Sequence, residues 1–523
     1  RFSLTARLEA IYRYVCDDSL SLWRTERCEG IEIGAQAYLG SVVGSEKDAM
    51  KNADAGAVWM LAAMTGDSLL RHGRLPYIRN FKLMQQGGHG NRNHGAALGQ
   101  YYLSKKGAFV EEWGNHIEPI GITYYTLIDI GNILLFEPQD TLLREKLREG
   151  ADLLLSLQHP DGSFDVAYDK LTGEALFTDL KDLRPTFYGL LVAHRILGER
   201  KYLDAALRGA DWYVGHAVDR GRFLGVCGDA RFINDFATVQ SAQALLETYE
   251  ASGNERYLDA AIRAARLYAC SVYTHPRSEN APVRRKGREL RDWQLSQTGL
   301  CFEHGGSTGS ATKSGPILLT SHCGLYTRLA AMTGDSLFVD LARTAAIARE
   351  EFLNPDTKIA TYYWSQFDRG PGPFPHHAWW QLGWIVDYLL CEAECRSEGL
   401  IAFPRGFVTP KVGPQRITGF APGHIGKHEA NLILRPELVR TGCPDLDCLT
   451  ALSTDGRRLY VVLLGSSAHE NRGRITLDVT KLGWRGIGRT RALTPETERL
   501  SDTEATACTI DGFGLKIWEI TRK

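Results

Sequence analysis

Residues 61–69 read LAAMTGDSL, and residues 329–337 read LAAMTGDSL again, 268 positions later, in surroundings that otherwise share little. In each copy Leu, Ala, Ala and Met extend an apolar helical pattern, and Gly66 or Gly334 stands where a helix stops on a residue able to take positive φ. Asp67 and Asp335 then follow as caps for the next helix. TGD is therefore a tight turn between two helices. Looser versions of the same turn are LGERKYLDAA at 197–206, SGNERYLDAA at 252–261 and FEPQDTLL at 136–143.

Working outward from these turns, helices enter them from near residues 50, 121, 186, 237 and 317, and a sixth apolar, aromatic helix is expected over about 378–396. Five return helices follow, at about 67–85, 140–156, 200–215, 254–272 and 335–352, and they carry Arg, Lys and Glu on one face. The amphipathic segment LTARLEAIYRYVC, residues 4–16, is available as the missing sixth partner. Twelve helices in six hairpins can close into a ring, so the expected fold is mainly α, an (α/α)6 barrel over residues 1–402. A tetratricopeptide solenoid would keep a period of about 34 residues. Here the hairpins start at wider and unequal intervals.

All the short turns then lie at one pole and all the long connections at the other. Those connections run through about 86–120, 157–186, 216–236, 273–316 and 353–377, and long loops on a rigid scaffold are where binding and chemistry gather. After about residue 400 the helical period gives way to short alternating apolar runs such as RLYVVLLGS and GFGLKIWEI. These predict a small all-β sandwich over 403–523, with a buttressing role.

The 523 residues carry 61 basic and 62 acidic side chains, so there is no net field to draw in nucleic acid or an anionic membrane. No run of eighteen consecutive apolar residues occurs, which argues against a spanning helix. The eleven cysteines are scattered without C-x-x-C pairs, a pattern that favours free thiols in a reducing compartment such as the cytoplasm. Arg1 at the first position is also compatible with a processed N-terminus and a periplasmic or secreted protein. GGHGNRNHG at 87–95 lacks the Lys-Ser/Thr end of a phosphate loop, and neither a cofactor nor a metal is expected. The sequence is silent on oligomeric state.

The long connections concentrate Trp113, Trp364 and Trp379 with His116, His304, His376 and His377, a mixture of flat rings and polar edges that suits a sugar. For any one tryptophan, packing at the ring's mouth is the plain alternative. Asp235, just before the fourth entering helix, either caps that helix or acts as an acid, and Glu303 lies in a glycine-rich stretch beside His304. Glu118 and Asp182 are further catalytic candidates, with salt bridging as the alternative. Paired carboxylates are the equipment of glycoside hydrolysis, one protonating the leaving oxygen while the other activates water or attacks the anomeric carbon. Arg184 either grips a substrate carboxylate, which would suit a uronic acid, or pairs with Asp179 or Asp182. His322, beside Cys323 at the top of the fifth entering helix, is a substrate-side residue, one of a zinc-ligand pair, or a buried polar contact.

The YLDAA and TGD turns and the WWQLGW helix resemble the six-hairpin carbohydrate-active enzymes whose helical ring precedes a small β-sandwich, nearest to bacterial β-glucuronidases and unsaturated glucuronyl hydrolases. The chain lacks the His-Asp and Trp-Gly-Arg-Gly segments of the latter, and WGNH at 113–116 is a partial echo. The resemblance implies a glycoside hydrolase that removes a terminal uronic acid from an oligosaccharide or glycoside. A polysaccharide lyase, with Asn115, His116, Tyr124 and His304 in reach of proton abstraction, is the second expectation, and a noncatalytic oligosaccharide-binding protein the third.

Overall fold

A computed structural model describes residues 2–38, 49–51, 54–86, 94–98, 100–102, 107–110, 116–226, 234–275, 277–285, 287–296, 298–301, 321–348, 358–359, 377–410, 413–495 and 500–523. The entering helices are Ala55–Thr65, the π-helix Ile122–Ile128 continued by Asp129–Phe136, then Tyr188–Leu197, Phe236–Ser252, Cys323–Thr333 and His377–Arg396. They are buried on nearly every side: all but one residue of Ala55–Thr65 are buried, and Phe236–Thr248 is buried throughout, its polar Gln240, Gln243 and Glu247 included. The return helices Thr141–Leu157, Arg200–Tyr213, Glu255–Ala269 and Ser336–Ala348 are amphipathic, with alanines and tyrosines facing inward. The first return helix is split into Ser68–Gly73 and Leu75–Gln85, where Pro76 suits the first turn of a new helix.

Each entering helix meets the next. The first packs on the second, the second on the third, the fifth on the sixth and the sixth on the first. Between the third and fourth, Tyr188 Oη donates to Glu247 Oε2 at 2.9 Å, and between the fourth and fifth, Arg328 Nη2 donates to Gln243 Oε1 at 2.8 Å. The helix Leu4–Cys16 packs on the sixth entering helix, as its amphipathic pattern predicts. The second entering helix, Pro119–Phe136, is long and apolar enough to cross a membrane by composition, unlike the sequence expectation, and it is 83% buried in the helical core.

The long connections are not bare. A five-stranded antiparallel sheet joins Trp23–Cys28, Ile31–Tyr38, Ala49–Lys51, Gln100–Tyr102 and Ala108–Val110 and rests on Phe81 of the first return helix. A second small sheet pairs His116–Ile117, Asp165–Asp169 and Ala175–Lys181.

The C-terminal region holds a seven-stranded sheet and a three-stranded sheet. Strand alternation divides its side chains between two cores. Val461 and Leu463 face the three-stranded sheet, while Val462 and Leu464 face the helices. Asp447 of this region accepts the Leu4 backbone N–H at 2.6 Å and so caps the N-terminal helix. Leu434 N and Arg435 Nη1 donate to the Met64 carbonyl near the end of the first entering helix, at 2.9 and 2.8 Å.

Residues 406–410 and 413–418 lie among the helices. Their short hairpin strands, Val408–Thr409 and Gly413–Arg416, meet the second to sixth entering helices and, through Asp54, the residue before the first. Thr409 Oγ1 donates to Asp54, and Asn132 of the second helix exchanges bonds with Phe407 N and Val408 O, each at 3.0 Å. Tyr188 and Arg195 of the third meet Val408 N and the Phe407 ring, and Gln240 of the fourth donates to Thr409 O at 2.6 Å. Arg328 of the fifth donates to Pro414 O, and Gly383 of the sixth faces Gln415.

Candidate functional site

Three successive connections bring ionic groups together where the second, third and fourth entering helices begin. Glu118 stands immediately before Pro119, the first residue of the second helix, and Arg184 lies in LRPTF before the third, just past the strand that ends at Lys181. Arg184 Nη1 donates to Glu118 Oε2 at 2.5 Å and Nε to Asp182 Oδ1 at 2.8 Å. The remaining fork reaches the carbonyls of Val226 and Val166 at 3.5 and 3.4 Å. The guanidinium is wholly buried and both its edges are engaged, so it holds these two carboxyls in place. The Asp182 pair is visible from the sequence spacing. The Glu118 pair, 66 residues away, is a product of the fold.

The two carboxyls around Arg184 are pushed apart. Burial raises Glu118, but Arg184 and His116 outweigh it and hold the group below the usual carboxylate value. His116 Nε2 lies 3.2 Å from Glu118 Oε1. For Asp182 burial wins over the pull of Arg184 and of the Thr186 hydroxyl, which donates to Oδ2 at 2.8 Å, and the group is raised. The two groups thus shift in opposite directions, Glu118 below and Asp182 above the ordinary carboxylate value.

Asp235 adjoins this cluster. It is fully buried and caps the fourth entering helix, Oδ1 accepting Ala237 N at 2.9 Å and Oδ2 accepting Val226 N at 2.7 Å. Val226 is thus a shared wall: its carbonyl accepts from Arg184 and its N–H serves Asp235. Tyr124, carried by the π-helix, lies in the electrostatic field of Arg184, Asp182 and Asp235, and burial raises its phenol well above the ordinary value. Its hydroxyl is buried without a hydrogen-bond partner among the described residues. A π-turn at such a place is a frequent mark of a functional position.

Further round, Tyr268 Oη contacts Cys301 Sγ and lies 3.4 Å from His322 Nδ1. Burial drives the His322 imidazole down to about 3 and the Cys301 thiol up to about 12, so both are neutral near pH 7. His322 Nε2 has no partner among the described residues, and no group of three or more His, Cys, Asp or Glu there is arranged to hold a metal ion. The ten described cysteines are free thiols.

Of the sequence candidates, Glu118, Asp182, Arg184, His116 and Asp235 come together. His322 joins them through Tyr268, whose phenol, like that of Tyr124, lies in the field of Asp235. Trp379 is 1% exposed and packs in the helical core. His377 opens the sixth entering helix, and its side chain lies outside the described residues. Glu303, Trp113, His304, Trp364 and His376 also lie outside the described residues. Sequence reading passed over Asp54, whose NADAG context looks like a plain loop. It is a non-glycine residue at φ 70°, fully buried at the start of the first entering helix.

No family model matches the sequence, and no curated protein does. Similar solved structures include a GH76 α-mannanase from Bacteroides thetaiotaomicron, 14% identical over 66% of this chain and 87% of that one, with a TM-score of 0.40. A D-mannose isomerase is 11% identical over 74% of this chain and 96% of that one, TM-score 0.45. An unsaturated glucuronyl hydrolase specific for heparin is 10% identical over the same shares, TM-score 0.41. The functional reading therefore rests on this chain's own residues.

Proposed function

We propose that the six hairpins form a closed (α/α)6 ring, residues 1–402, followed by a β-sandwich, residues 403–523, with residues 406–418 returned into the ring as its axial filling. We propose further that the chain is a carbohydrate-active enzyme, and specifically a glycoside hydrolase that removes a terminal uronic acid from an oligosaccharide or glycoside. The observation that carries this is the convergence of Glu118, Asp182 and Asp235 on the one guanidinium of Arg184 and its Val226 wall. Carboxyls brought together from three different connections are the equipment that acid/base cleavage of an acetal requires.

In this reading Asp235 and Glu303 form the acid/base pair. One donates its proton to the departing glycosidic oxygen as the C–O bond breaks, and the other takes a proton from water, or attacks and is then released by water. Asp182 and Glu118 are supporting carboxyls that Arg184 orients. Trp113, His116, His304, His322, Trp364, His376 and His377 are assigned to the sugar-binding side, and Trp379, packed in the helical core, is not. Arg184 is fully engaged with Glu118 and Asp182, so it orients these carboxyls and does not grip a substrate carboxylate.

The test is a panel of arylglycosides and uronic-acid oligosaccharides read by mass spectrometry. A product pair heavier than its substrate by one water is expected, with Asp235→Asn losing roughly 100-fold in kcat while remaining folded. The unpartnered Tyr124 hydroxyl favours one second reading, a lyase in which a phenol shuttles the proton of β-elimination. Products that absorb in the ultraviolet with no gain of water would establish that reading in place of hydrolysis.

A further inference from the structure

The hairpin beside the carboxyl cluster carries an aromatic ring that neither the cluster nor the core uses. Phe177 lies in the strand Ala175–Lys181 at φ 55°, a conformation that a bulky side chain rarely takes. The strand pairing is interrupted there. Asp165 pairs with Lys181 and Ala167 with Leu176, so residues 177–180 of one strand answer to Val166 alone in the other. Val166 is the residue whose carbonyl accepts from Arg184, and a bulge at such a place re-aims a side chain. The bulge is held on both sides. At its base Asp165 accepts from Lys181 Nζ at 2.5 Å and from Tyr168 Oη at 3.0 Å, and His159 Nε2 lies 2.8 Å from it. At the hairpin tip Asp169 Oδ1 accepts Leu171 N and Thr172 N, each at 2.8 Å. A left-handed phenylalanine fixed in this way persists because its surroundings demand it, and what they present to solvent is its ring.

From that ring a chain of contacts runs inward. Phe177 meets His116 at right angles, ring centroids 5.6 Å apart, His116 Nε2 lies 3.2 Å from Glu118 Oε1, and Glu118 is bonded to Arg184. Exposure falls along this chain, from 50% at Phe177 to 14% at the His116 side chain, 8% at Glu118 and none at Arg184. His116 is therefore where the chain from Arg184 and Glu118 reaches solvent, and Phe177 stands at that opening. An edge-to-face contact takes at most one face of the Phe177 ring. We propose that Phe177 is an aromatic platform at the mouth of the site, on which a pyranose stacks its C–H face while its hydroxyl edge turns toward His116 and Glu118. The inference rests on the carbohydrate reading above and deepens it by naming the residue that selects a flat sugar ring. The chemistry matches: a pyranose offers apolar C–H bonds on its faces and hydroxyls on its rim, and an open ring beside a polar edge meets both.

The test measures binding of methyl β-D-glucopyranoside, methyl β-D-glucuronide and methyl α-D-mannopyranoside by ligand-observed NMR, with melting temperatures, on the full chain and three variants. Phe177→Trp keeps a flat ring, Phe177→Leu keeps apolar bulk without one, and Phe177→Gly removes the side chain and relieves the left-handed backbone. Binding of at least one glycoside to the unaltered chain is expected. Phe177→Trp should hold or improve that affinity, and Phe177→Leu and Phe177→Gly should each weaken it about fivefold to tenfold. Phe177→Gly should do so with the melting temperature held or raised, whereas a ring that served only packing would lower it when removed. Unchanged affinity in the Leu and Gly variants would overturn the platform, as would a loss of affinity in Phe177→Gly that came with a fall in melting temperature. Weaker binding by Phe177→Trp would also count against stacking. These outcomes leave the carbohydrate reading standing. If the unaltered chain binds none of the three glycosides, that reading itself fails and takes the platform with it.

Discussion

The two ends of the same six helices are built on different terms. At the end where they leave, residues of the turns themselves meet several of the groups that the helix termini expose. Gly66 and Gly334, at φ 67° and 69°, return their N–H groups to Ala62 and Ala330, and Asp67 and Asp335 accept from Leu70 N and Leu337 N. At the end where they begin, the chain holds a non-glycine residue in the left-handed region, a π-helix, a buried guanidinium between two carboxyls, and orphaned atoms on Tyr124, His322, Gln415 and Asp54. The comparison teaches where stability was set aside. Positive φ and unmet polarity also occur elsewhere, as at Glu398, φ 49°, and Arg396 Nε where the sixth helix ends, so what distinguishes the beginning ends is the buried ionic cluster of Arg184, Glu118 and Asp182.

The largest way to break the contrast is Arg184→Met. It leaves Glu118 and Asp182 buried without their cation, and breaking a buried pair in this manner costs about 3–5 kcal/mol. Urea unfolding at pH 7 should show that loss. A change below about 1 kcal/mol would mean that the cluster is solvated and that the beginning ends are no more demanding than the leaving ends.

Next in size is an acid sensitivity that one beginning end carries through a buried histidine. His322 titrates near 6.5 when unfolded and is driven down to about 3 by burial. Its native state therefore refuses a proton that the unfolded chain accepts, so this residue's contribution is complete above pH 6.5 and is lost as pH falls toward 3. The unaltered protein should lose up to about 1.4 kcal/mol per pH unit from this group across that window. His322→Gln should remove that part of the slope. An unchanged slope would show that the imidazole is hydrated and charged in the folded chain.

How much of this was legible beforehand follows from what each signal depends on. The helices were legible because a 3.6-residue period and a Gly-Asp turn are local: the segment at 4–16 and the turns at 66 and 334 stand where the sequence puts them. The short strands at 49–51 and 100–102 were not, since three residues carry no period. FVTPKVGPQR reads as the first strands of the sandwich because its alternation is the same whichever core it faces, and in the fold it faces the helices. The pairing of Arg184 with Asp182 was within reach, two residues apart. Its bond to Glu118 and the left-handed turn at Asp54 depend on distant elements and leave no mark in the local text.

The smallest prediction sharpens the comparison through glycine. Gly334 sits at φ 69° with nothing within 4 Å of the position a Cβ would take, so Gly334→Ala adds no clash and imposes only the backbone cost of a left-handed alanine, about 1 kcal/mol. Asp335→Ala removes a cap from the following helix and should cost about as much. Both losses belong to the leaving ends, so thermal unfolding should register them while glycoside turnover at saturating substrate stays within about twofold of the unaltered chain. A turn substitution that cut turnover sharply at unchanged stability would mean that the two poles are coupled through the helices. The division between a pole that closes the fold and a pole that carries the site would then not hold.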